Sequence, residues 1–129
     1  MALDWKAIVL VAAGAIVGAL LRFGVSALVP SKTFPFATFP WATLAVNLAG
    51  AFAIGLLVLP SGVDHDVKML VVVGFLGAFT TLSTYSVETV DLWRTSHRDL
   101  AVANMLANGL GGPLMAVAGW KVAVAFGAA

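Results

Sequence analysis

Four long apolar stretches alternate with short polar or proline-containing segments along the chain. They cover approximately residues 7–29, 39–59, 67–93 and 100–126. Each is about as long as a membrane-spanning helix, which needs roughly 20 residues. A secretory signal peptide would also begin with an apolar run, but the first stretch continues past Arg22 and exceeds the usual apolar length. The pattern predicts an all-α membrane protein, a single domain over residues 1–129 with four transmembrane helices.

The composition agrees with a membrane location. Of the 129 residues, 61% are hydrophobic and 10% are charged, whereas a soluble domain is about half apolar and a quarter charged. The chain has no cysteine, which excludes disulfides and cysteine metal sites. Its formal net charge of +1 and the lack of a basic patch give no indication of a nucleic-acid partner. We therefore expect a multi-pass protein embedded in the lipid of a bacterial or archaeal plasma membrane.

The third stretch changes character in its second half, GFLGAFTTLSTYSVE, residues 74–88. Gly74 and Gly77 are followed by five hydroxyl side chains within seven residues: Thr80, Thr81, Ser83, Thr84 and Ser86. Inside a membrane, irregular backbone and clustered polar groups are tolerated only where they face protein or a water-filled path. The cluster therefore predicts a site for an ion or a polar solute. In the alternative interpretation, the hydroxyls bond back to their own helix or join neighbouring helices.

Polar residues also recur near the middle of two other stretches. Thr43 and Asn47 in the second stretch, and Asn104 and Asn108 in the fourth, are four residues apart and therefore share a helix face. The first stretch has only small residues at that depth, with a GxxxG pattern at residues 14–18 that lets helices approach closely. Three helices are thus predicted to line a polar track, and the first helix is predicted to pack against them.

The predicted track offers neutral hydrogen-bond donors and lacks carboxylates. The carboxylate that is expected within the membrane is Glu88, for which a partnership with an arginine at a helix end is as well supported as a direct role. A cation path usually carries carboxylates, so neutral donors favour an anion. Chloride, fluoride and a neutral solute all remain open at this point.

Positive charges are divided almost evenly between the two ends of the spans. With four spans, three lysines lie on the side of the termini and four basic residues on the other: Lys6, Lys68 and Lys121 against Arg22, Lys32, Arg94 and Arg98. An excess of positive charge on one side normally sets the orientation of a membrane protein. Because the excess is small, either other factors fix the topology or the chain inserts both ways and pairs antiparallel. Four spans are also few for enclosing a pore, so we expect an antiparallel homodimer.

No pattern in the chain indicates catalysis. HExxH, GxSxG and P-loop motifs are absent, and His65 and His97 lie in short polar segments without ligand-spaced partners. The sequence therefore predicts that the protein is not an enzyme.

Four motifs, in order along the chain, resemble those of the Fluc (CrcB) family of fluoride channels. They are GAIVGALLRF, TLAVNLAGAFAIG, GFLGAFTTLSTYSVE and NMLANGLGG. The third is similar to the pattern GFxGxxTTFSTFSxE of the family, and the resemblance extends over nearly the whole chain. The resemblance implies a passive, fluoride-selective channel that exports fluoride and relieves its toxicity. It also implies a dual-topology homodimer with two antiparallel pores.

The resemblance also implies roles for individual residues. Asn47 would line the pore together with further polar side chains: Thr43, Thr81, Ser83, Thr84, Tyr85, Asn104 and Asn108. Arg22 would supply the charge of a vestibule. The third helix would break near residues 77–80, where the backbone carbonyls of Gly77 and Thr80 from both subunits would hold a structural sodium ion at the centre of the dimer.

Three positions depart from the family pattern. Leu82 and Tyr85 stand where the family has two phenylalanines whose ring edges face the anion, and Gly112, followed by Pro113, stands where it often has serine. Ring edges carry the positive part of the aromatic quadrupole, so Tyr85 is expected to carry this role alone. The glycines and the proline of the fourth stretch predict an irregular helix there.

Two other functions compete with the fluoride channel. One is a proton-coupled small dual-topology exporter, which generally needs a carboxylate deep in a span, and the first stretch has none. The other is a non-conducting partner subunit of a heterodimeric fluoride channel. Proton dependence of transport separates the first from a passive channel, and transport by the purified chain alone excludes the second.

Overall fold

The computed structural model describes residues 4–29, 38–58 and 62–127, and among these it contains helices and no β-strand. The helices are α1 (Trp5–Leu28), α2 (Trp41–Val58), α3 (the π-helix Lys68–Leu76 between the short α-helical segments His65–Val67 and Gly77–Phe79), α4 (Leu82–Arg94), α5 (Arg98–Gly109) and α6 (Gly111–Ala125). The prediction of an all-α fold is therefore confirmed for the described residues. Lys32, which was counted in the charge balance, lies outside them.

Three stretches of helix are long and apolar enough to cross a membrane: Trp5–Leu28, His65–Arg94 and Arg98–Ala125. The second predicted span corresponds to α2, a mostly apolar helix whose 18 residues fall just short of the roughly 20 that a bilayer requires. The third and fourth predicted spans each consist of two consecutive helices, α3 with α4 and α5 with α6.

Helix α1 packs closely against α3 through glycines. A β-carbon built at Gly14 would lie 2.0 Å from the Leu70 carbonyl oxygen, and one at Gly18 would lie 2.2 Å from the Phe75 oxygen. Both distances are far inside van der Waals contact, so the two backbones approach this closely because neither glycine has a side chain. The packing role predicted for the small residues of the first helix is therefore confirmed.

Helix α2 packs in the same manner against α6. A β-carbon at Gly55 would lie 2.0 Å from the Ala116 oxygen, and one at Gly119 would lie 2.1 Å from the Phe52 oxygen. The fold thus contains two closely packed helix pairs, α1 with α3 and α2 with α6. Helices α4 and α5 also pack against each other.

The helix of the third span is interrupted at Thr80 and Thr81. Both have extended backbone conformations, with φ −81° and ψ 158° at Thr80 and φ −151° and ψ 115° at Thr81. The break that was predicted near residues 77–80 therefore lies at the end of that interval, and Gly77 itself is helical. The preceding nine residues, Lys68–Leu76, form a π-helix, a geometry that is frequent at functional sites.

The helix of the fourth span is interrupted at Leu110, between α5 and α6. Pro113 follows three residues later and has no amide hydrogen for the Gly109 carbonyl, so a regular helical bond is missing at this point. The irregular helix that was predicted here is therefore confirmed.

Candidate functional site

The side chain of Asn47 on α2 bonds directly to the helix break. Its Oδ1 accepts a hydrogen bond of 2.8 Å from the Thr81 amide, and its Nδ2 donates to the Thr81 carbonyl at 3.2 Å. The Thr81 amide donates to this side chain because the interruption has removed its helical acceptor, the Gly77 carbonyl. Asn47 therefore satisfies backbone groups for which the interior of a membrane offers no water.

From Asn47 a chain of hydrogen bonds leads through α5 and back to α4. Asn47 Nδ2 donates to Asn108 Oδ1 at 2.9 Å, and Asn108 Nδ2 donates to Asn104 Oδ1 at 2.9 Å. Asn104, which is fully buried, donates through Nδ2 to Thr89 Oγ1 at 2.9 Å. Thr89 Oγ1 in turn donates to the Tyr85 carbonyl at 2.7 Å. We refer to Asn47, Asn108, Asn104 and Thr89 as the amide relay.

The hydroxyl cluster after the break divides into two groups. Thr80 and Ser86 donate to carbonyls one turn earlier, at 2.9 and 2.8 Å, as in the alternative interpretation of this cluster. Thr81, Ser83 and Thr84 instead contact one another. Thr81 Oγ1 accepts from the Thr84 amide at 3.2 Å, donates to Thr84 Oγ1 at 3.0 Å and lies 3.3 Å from Ser83 Oγ. The Thr84 hydroxyl accepts the bond from Thr81 Oγ1, and its own hydrogen has no acceptor among the described residues.

Glu88 on α4 reaches Thr43 on α2. Thr43 is buried, and its Oγ1 donates to Glu88 Oε1 at 2.8 Å. Glu88 Oε2 is buried and has no hydrogen-bond partner among the residues that the structure describes. Within the described part of the chain, the hydrogen-bond partner of Glu88 is thus a threonine one turn from Asn47 rather than an arginine.

A cavity of about 420 Å³ lies beside the helix break. Its lining combines polar groups with apolar side chains: Asn47, Gly50, Ala51, Ile54, Val72, Leu76, Gly77, Thr80, Thr81, Leu82, Tyr85, Asn108 and Gly109. Four of the residues predicted to line a pore thus meet at one cavity, namely Asn47, Thr81, Tyr85 and Asn108. The other four lie outside its lining, namely Thr43, Ser83, Thr84 and Asn104.

Two of the positions that depart from the family pattern border this cavity. Leu82 is 76% exposed, and Tyr85 is partly buried. The hydroxyl of Tyr85 makes no hydrogen bond within the described part of the chain. Tyr85 therefore brings both an aromatic ring and an unused donor to the cavity.

The helix break also removes donors from two backbone carbonyls. In a continuous helix the Thr81 amide would serve the Gly77 carbonyl and the Thr84 amide would serve the Thr80 carbonyl, but both amides donate to side chains. Neutral carbonyls that are released in this way suit a hard cation. Within residues 4–29, 38–58 and 62–127, no group of three or more His, Asp or Glu side chains is arranged to hold a metal ion.

Arg22 lies beside the break on the side of α1. Its Nε donates to the carbonyl of Ala78 at 3.1 Å, and the side chain is partly buried. A positive charge at the C-terminal end of α3 also complements the negative end of the helix dipole. The arginine that was predicted to supply a vestibule charge therefore contacts the end of α3.

Thr89 and the Thr43–Glu88 contact are the features of this site that sequence analysis missed. The signal for Thr89 is its spacing, because it follows Tyr85 by one helical turn and Thr81 by two. The hydroxyl-bearing face of the third span therefore continues beyond residue 86. The Thr43–Glu88 contact joins residues that are 45 positions apart, and no local pattern indicates it.

Comparison with known proteins finds relatives over most of the chain. The family model described as CrcB-like protein, Camphor Resistance (CrcB), matches residues 9–120. Fluoride-specific ion channel FluC 2 of Haloarcula marismortui is 44% identical over 99 residues, covering 77% of this chain and 78% of the relative. Fluoride-specific ion channel FluC 1 of Desulfitobacterium hafniense is 40% identical over 111 residues, with 81% and 92% covered. Fluoride-specific ion channel FluC of Dehalococcoides mccartyi is 39% identical over 117 residues, with 87% and 88% covered.

The matched segment extends over every predicted site residue, from Arg22 to Asn108. The similar proteins are ion channels by name, and three helices of this chain are long and apolar enough to cross a membrane. The chain is therefore a multi-pass membrane protein, and it belongs to the CrcB family.

Proposed function

We propose that this chain forms a passive, fluoride-selective ion channel of the cell membrane, which exports fluoride and so relieves its toxicity. The observation that carries the proposal is the helix break at Thr80 and Thr81, which is surrounded by neutral hydrogen-bond donors. A small anion that accepts strong hydrogen bonds matches such donors, whereas a cation path would usually carry carboxylates. Three similar proteins that are named fluoride-specific ion channels support the choice of fluoride.

The proposed assembly is an antiparallel homodimer with two pores. Polar groups such as those of Asn47, Thr81 and Asn108 line the cavity of the single chain. Polar groups at membrane depth are unfavourable next to lipid, so a second copy that closes the cavity accounts for their position. The nearly even division of basic residues between the two ends of the spans supports an antiparallel arrangement.

In the proposed path, the anion takes hydrogen bonds from donors on α2, α4 and α5. The bond from Asn47 Nδ2 to the Thr81 carbonyl is the longest of the three that Asn47 makes, at 3.2 Å, and a passing fluoride replaces it. The remaining polar side chains line or support the path: Thr43, Thr81, Ser83, Thr84, Tyr85, Asn104 and Asn108. Arg22 supplies positive charge that attracts the anion toward the break.

We also propose a structural sodium ion at the centre of the dimer. Its ligands are the carbonyls of Gly77 and Thr80 from each subunit. Support comes from the two amides that would serve these carbonyls in a continuous helix, because both donate to side chains instead. Four neutral carbonyls match the preference of a hard monovalent cation for oxygen.

The decisive experiment is ion efflux from liposomes that contain the purified protein. We expect rapid fluoride efflux, much slower chloride efflux and no dependence on a proton gradient. Proton-coupled transport would instead support an exporter. Fluoride efflux that appears only after addition of a second homologous chain would support a non-conducting partner subunit. A folded, reconstituted protein that carries no fluoride under either condition would refute the channel.

Orientation is measured separately, with a single introduced cysteine. The chain has no cysteine of its own, so a membrane-impermeant thiol reagent reports on one engineered position without background. Ser96 lies in the turn between α4 and α5 and is exposed. In Ser96→Cys we expect about half of the copies to be labelled from each side of the membrane, as a dual-topology dimer requires. Labelling from one side alone would refute the antiparallel arrangement.

A further inference from the structure

The amide relay lies between the Thr81 amide, which can only donate a hydrogen bond, and the Tyr85 carbonyl, which can only accept one. Its first member, Asn47, receives the hydrogen of the Thr81 amide on Oδ1 at 2.8 Å. Its last member, Thr89, gives its hydroxyl hydrogen to the Tyr85 carbonyl at 2.7 Å. A backbone N–H group cannot accept a hydrogen bond, and a backbone carbonyl cannot donate one. The direction of every hydrogen bond between these two ends is therefore determined.

A carboxamide that is not held in this way can rotate by half a turn, because its oxygen and nitrogen ends are similar in shape. If Asn47 alone rotated, its Nδ2 would face the Thr81 amide and its Oδ1 would face Asn108 Oδ1, so donor would meet donor and acceptor would meet acceptor. A matching rotation of Asn108 would leave the conflict at the Thr81 amide. It would also turn Asn108 Oδ1 toward the Oδ1 and the backbone carbonyl of the fully buried Asn104, to which Asn108 Nδ2 donates at 2.9 and 3.1 Å. Buried polar groups that lose their partners are costly, and the relay therefore holds its three carboxamides in one orientation.

Thr89, at the opposite end of the relay from Asn47, also constrains the direction of its hydrogen bonds. A threonine hydroxyl can donate or accept, but Thr89 Oγ1 gives its hydrogen to Tyr85 and is left as an acceptor toward Asn104. Thr89 is absent from the lining of the cavity beside the break. Among the described residues, hydrogen bonds connect it to Asn47 through Asn104 and Asn108.

Building on the proposed channel function, we propose that the amide relay is an orientation lock for Asn47 and that Thr89 is a positioning residue. The lock holds Oδ1 of Asn47, which would repel an anion, against the Thr81 amide. It thereby leaves Nδ2, the donor end, as the part of Asn47 that meets fluoride. Anion recognition at this site then depends on a hydroxyl that does not touch the ion.

Three variants test the lock. Thr89→Val removes the hydroxyl at nearly constant shape and leaves the buried Asn104 Nδ2 without its acceptor, whereas Thr89→Ser retains the hydroxyl. Thr95→Val is the matched control, because the Thr95 hydroxyl also donates to a carbonyl one turn earlier, that of Asp91 at 2.8 Å, and has no bond to an asparagine. Fluoride efflux per reconstituted protein is measured for each variant. The side-chain amide signals of Asn47 are recorded by NMR on protein with labelled asparagine.

We expect Thr89→Val to lower fluoride efflux by about tenfold, the effect of one buried donor losing its acceptor, and to shift or split the Asn47 amide signals. Thr89→Ser and Thr95→Val should resemble the parent in both measurements. Parent-like efflux in Thr89→Val, or lost efflux with unchanged Asn47 signals, would overturn the lock. If the parent carries no fluoride, the channel proposal fails by itself. In that case the NMR signals of the Asn47 side-chain amide still test the orientation lock. Signals that are the same in Thr89→Val and in the parent would refute the lock.

Discussion

Thr43 Oγ1 donates a hydrogen bond of 2.8 Å to Glu88 Oε1 and thereby links α2 to a partly buried carboxyl group on α4. The second oxygen, Oε2, is buried without a hydrogen-bond partner among the described residues. Since buried polar groups without partners are costly, the bond from Thr43 is the contact that compensates for placing this carboxyl group within a span.

The first prediction concerns this contact. Thr43→Val keeps the shape of the side chain but removes the donor, so it should destabilise the protein by about 1–3 kcal/mol, the cost of an unpaired buried group. Thr43→Ser keeps the hydroxyl and should cost clearly less. Thermal unfolding of the purified protein in detergent measures both. Equal losses in the two variants would assign the effect to the missing methyl group rather than to the hydrogen bond.

The position of the break near residues 77–80 was implied by the resemblance to the family, and local signals agree with it. Hydroxyls that compete with backbone bonds follow two glycines within one apolar stretch, and the interruption lies at Thr80 and Thr81. The roles of the individual hydroxyls were not predictable in the same way. The hydroxyl of Ser86 bonds back to its own helix whereas that of Thr84 joins Thr81, and the sequence does not distinguish these two outcomes. No residue pattern indicates the π-helix Lys68–Leu76 either.

Partners between helices were the least predictable part. Spacing of four residues correctly indicated that Asn104 and Asn108 share a face, and the structure adds that one bonds to the other. The same spacing did not identify Thr89 as the acceptor of Asn104 or Thr43 as the donor to Glu88. Such contacts depend on how α2, α4 and α5 pack, which is a property of the whole fold.

The second prediction concerns Asn47 as a donor in the path. Asn47→Asp replaces the amide by a group without hydrogens and adds a negative charge, so fluoride efflux should fall nearly to background because like charges repel. Thr95→Asp adds the same charge outside the spans, in a turn, and should leave efflux close to the parent value. A folded Asn47→Asp protein with parent-like efflux would place Asn47 outside the path.

The third prediction concerns the two positions at the cavity that differ from the family pattern. If Tyr85 alone presents a ring edge to the anion, Tyr85→Ile should remove most of the fluoride efflux, because an aliphatic side chain has no positive ring edge. Leu82 is largely exposed at the same cavity, so Leu82→Phe should be tolerated or should raise efflux. Efflux by Tyr85→Ile at the parent rate would show that an aromatic ring is not used here.

The fourth prediction tests the close packing of α1 on α3. In Gly14→Ala the new β-carbon would lie 2.0 Å from the Leu70 oxygen, so the helices must separate, at an expected cost of about 1–3 kcal/mol or more for overpacking. Gly24→Ala on the same helix is the control, since a β-carbon there meets nothing within 4 Å. It should be neutral or stabilising, because alanine favours the helix over glycine. Equal unfolding temperatures for both variants would contradict the packing of α1 described above.

The fifth prediction concerns the proposed sodium ion. An ion that binds the folded dimer and not the unfolded chain stabilises the fold, and the stabilisation rises with the ion concentration relative to its dissociation constant. Purification with a large organic cation in place of sodium should therefore lower the unfolding temperature of the dimer and its fluoride efflux, and sodium should restore both.

Thr80→Ala is the matched variant for the sodium ion. The Thr80 hydroxyl donates to the Leu76 carbonyl, so this change removes a side-chain contact and keeps the backbone carbonyl. The variant should still respond to sodium as the parent does, even if its own unfolding temperature differs. A parent protein whose stability and efflux are the same in sodium and in the organic cation would eliminate the ion. A response that disappears in Thr80→Ala would instead assign the binding to the hydroxyl rather than to the carbonyl that the helix break releases.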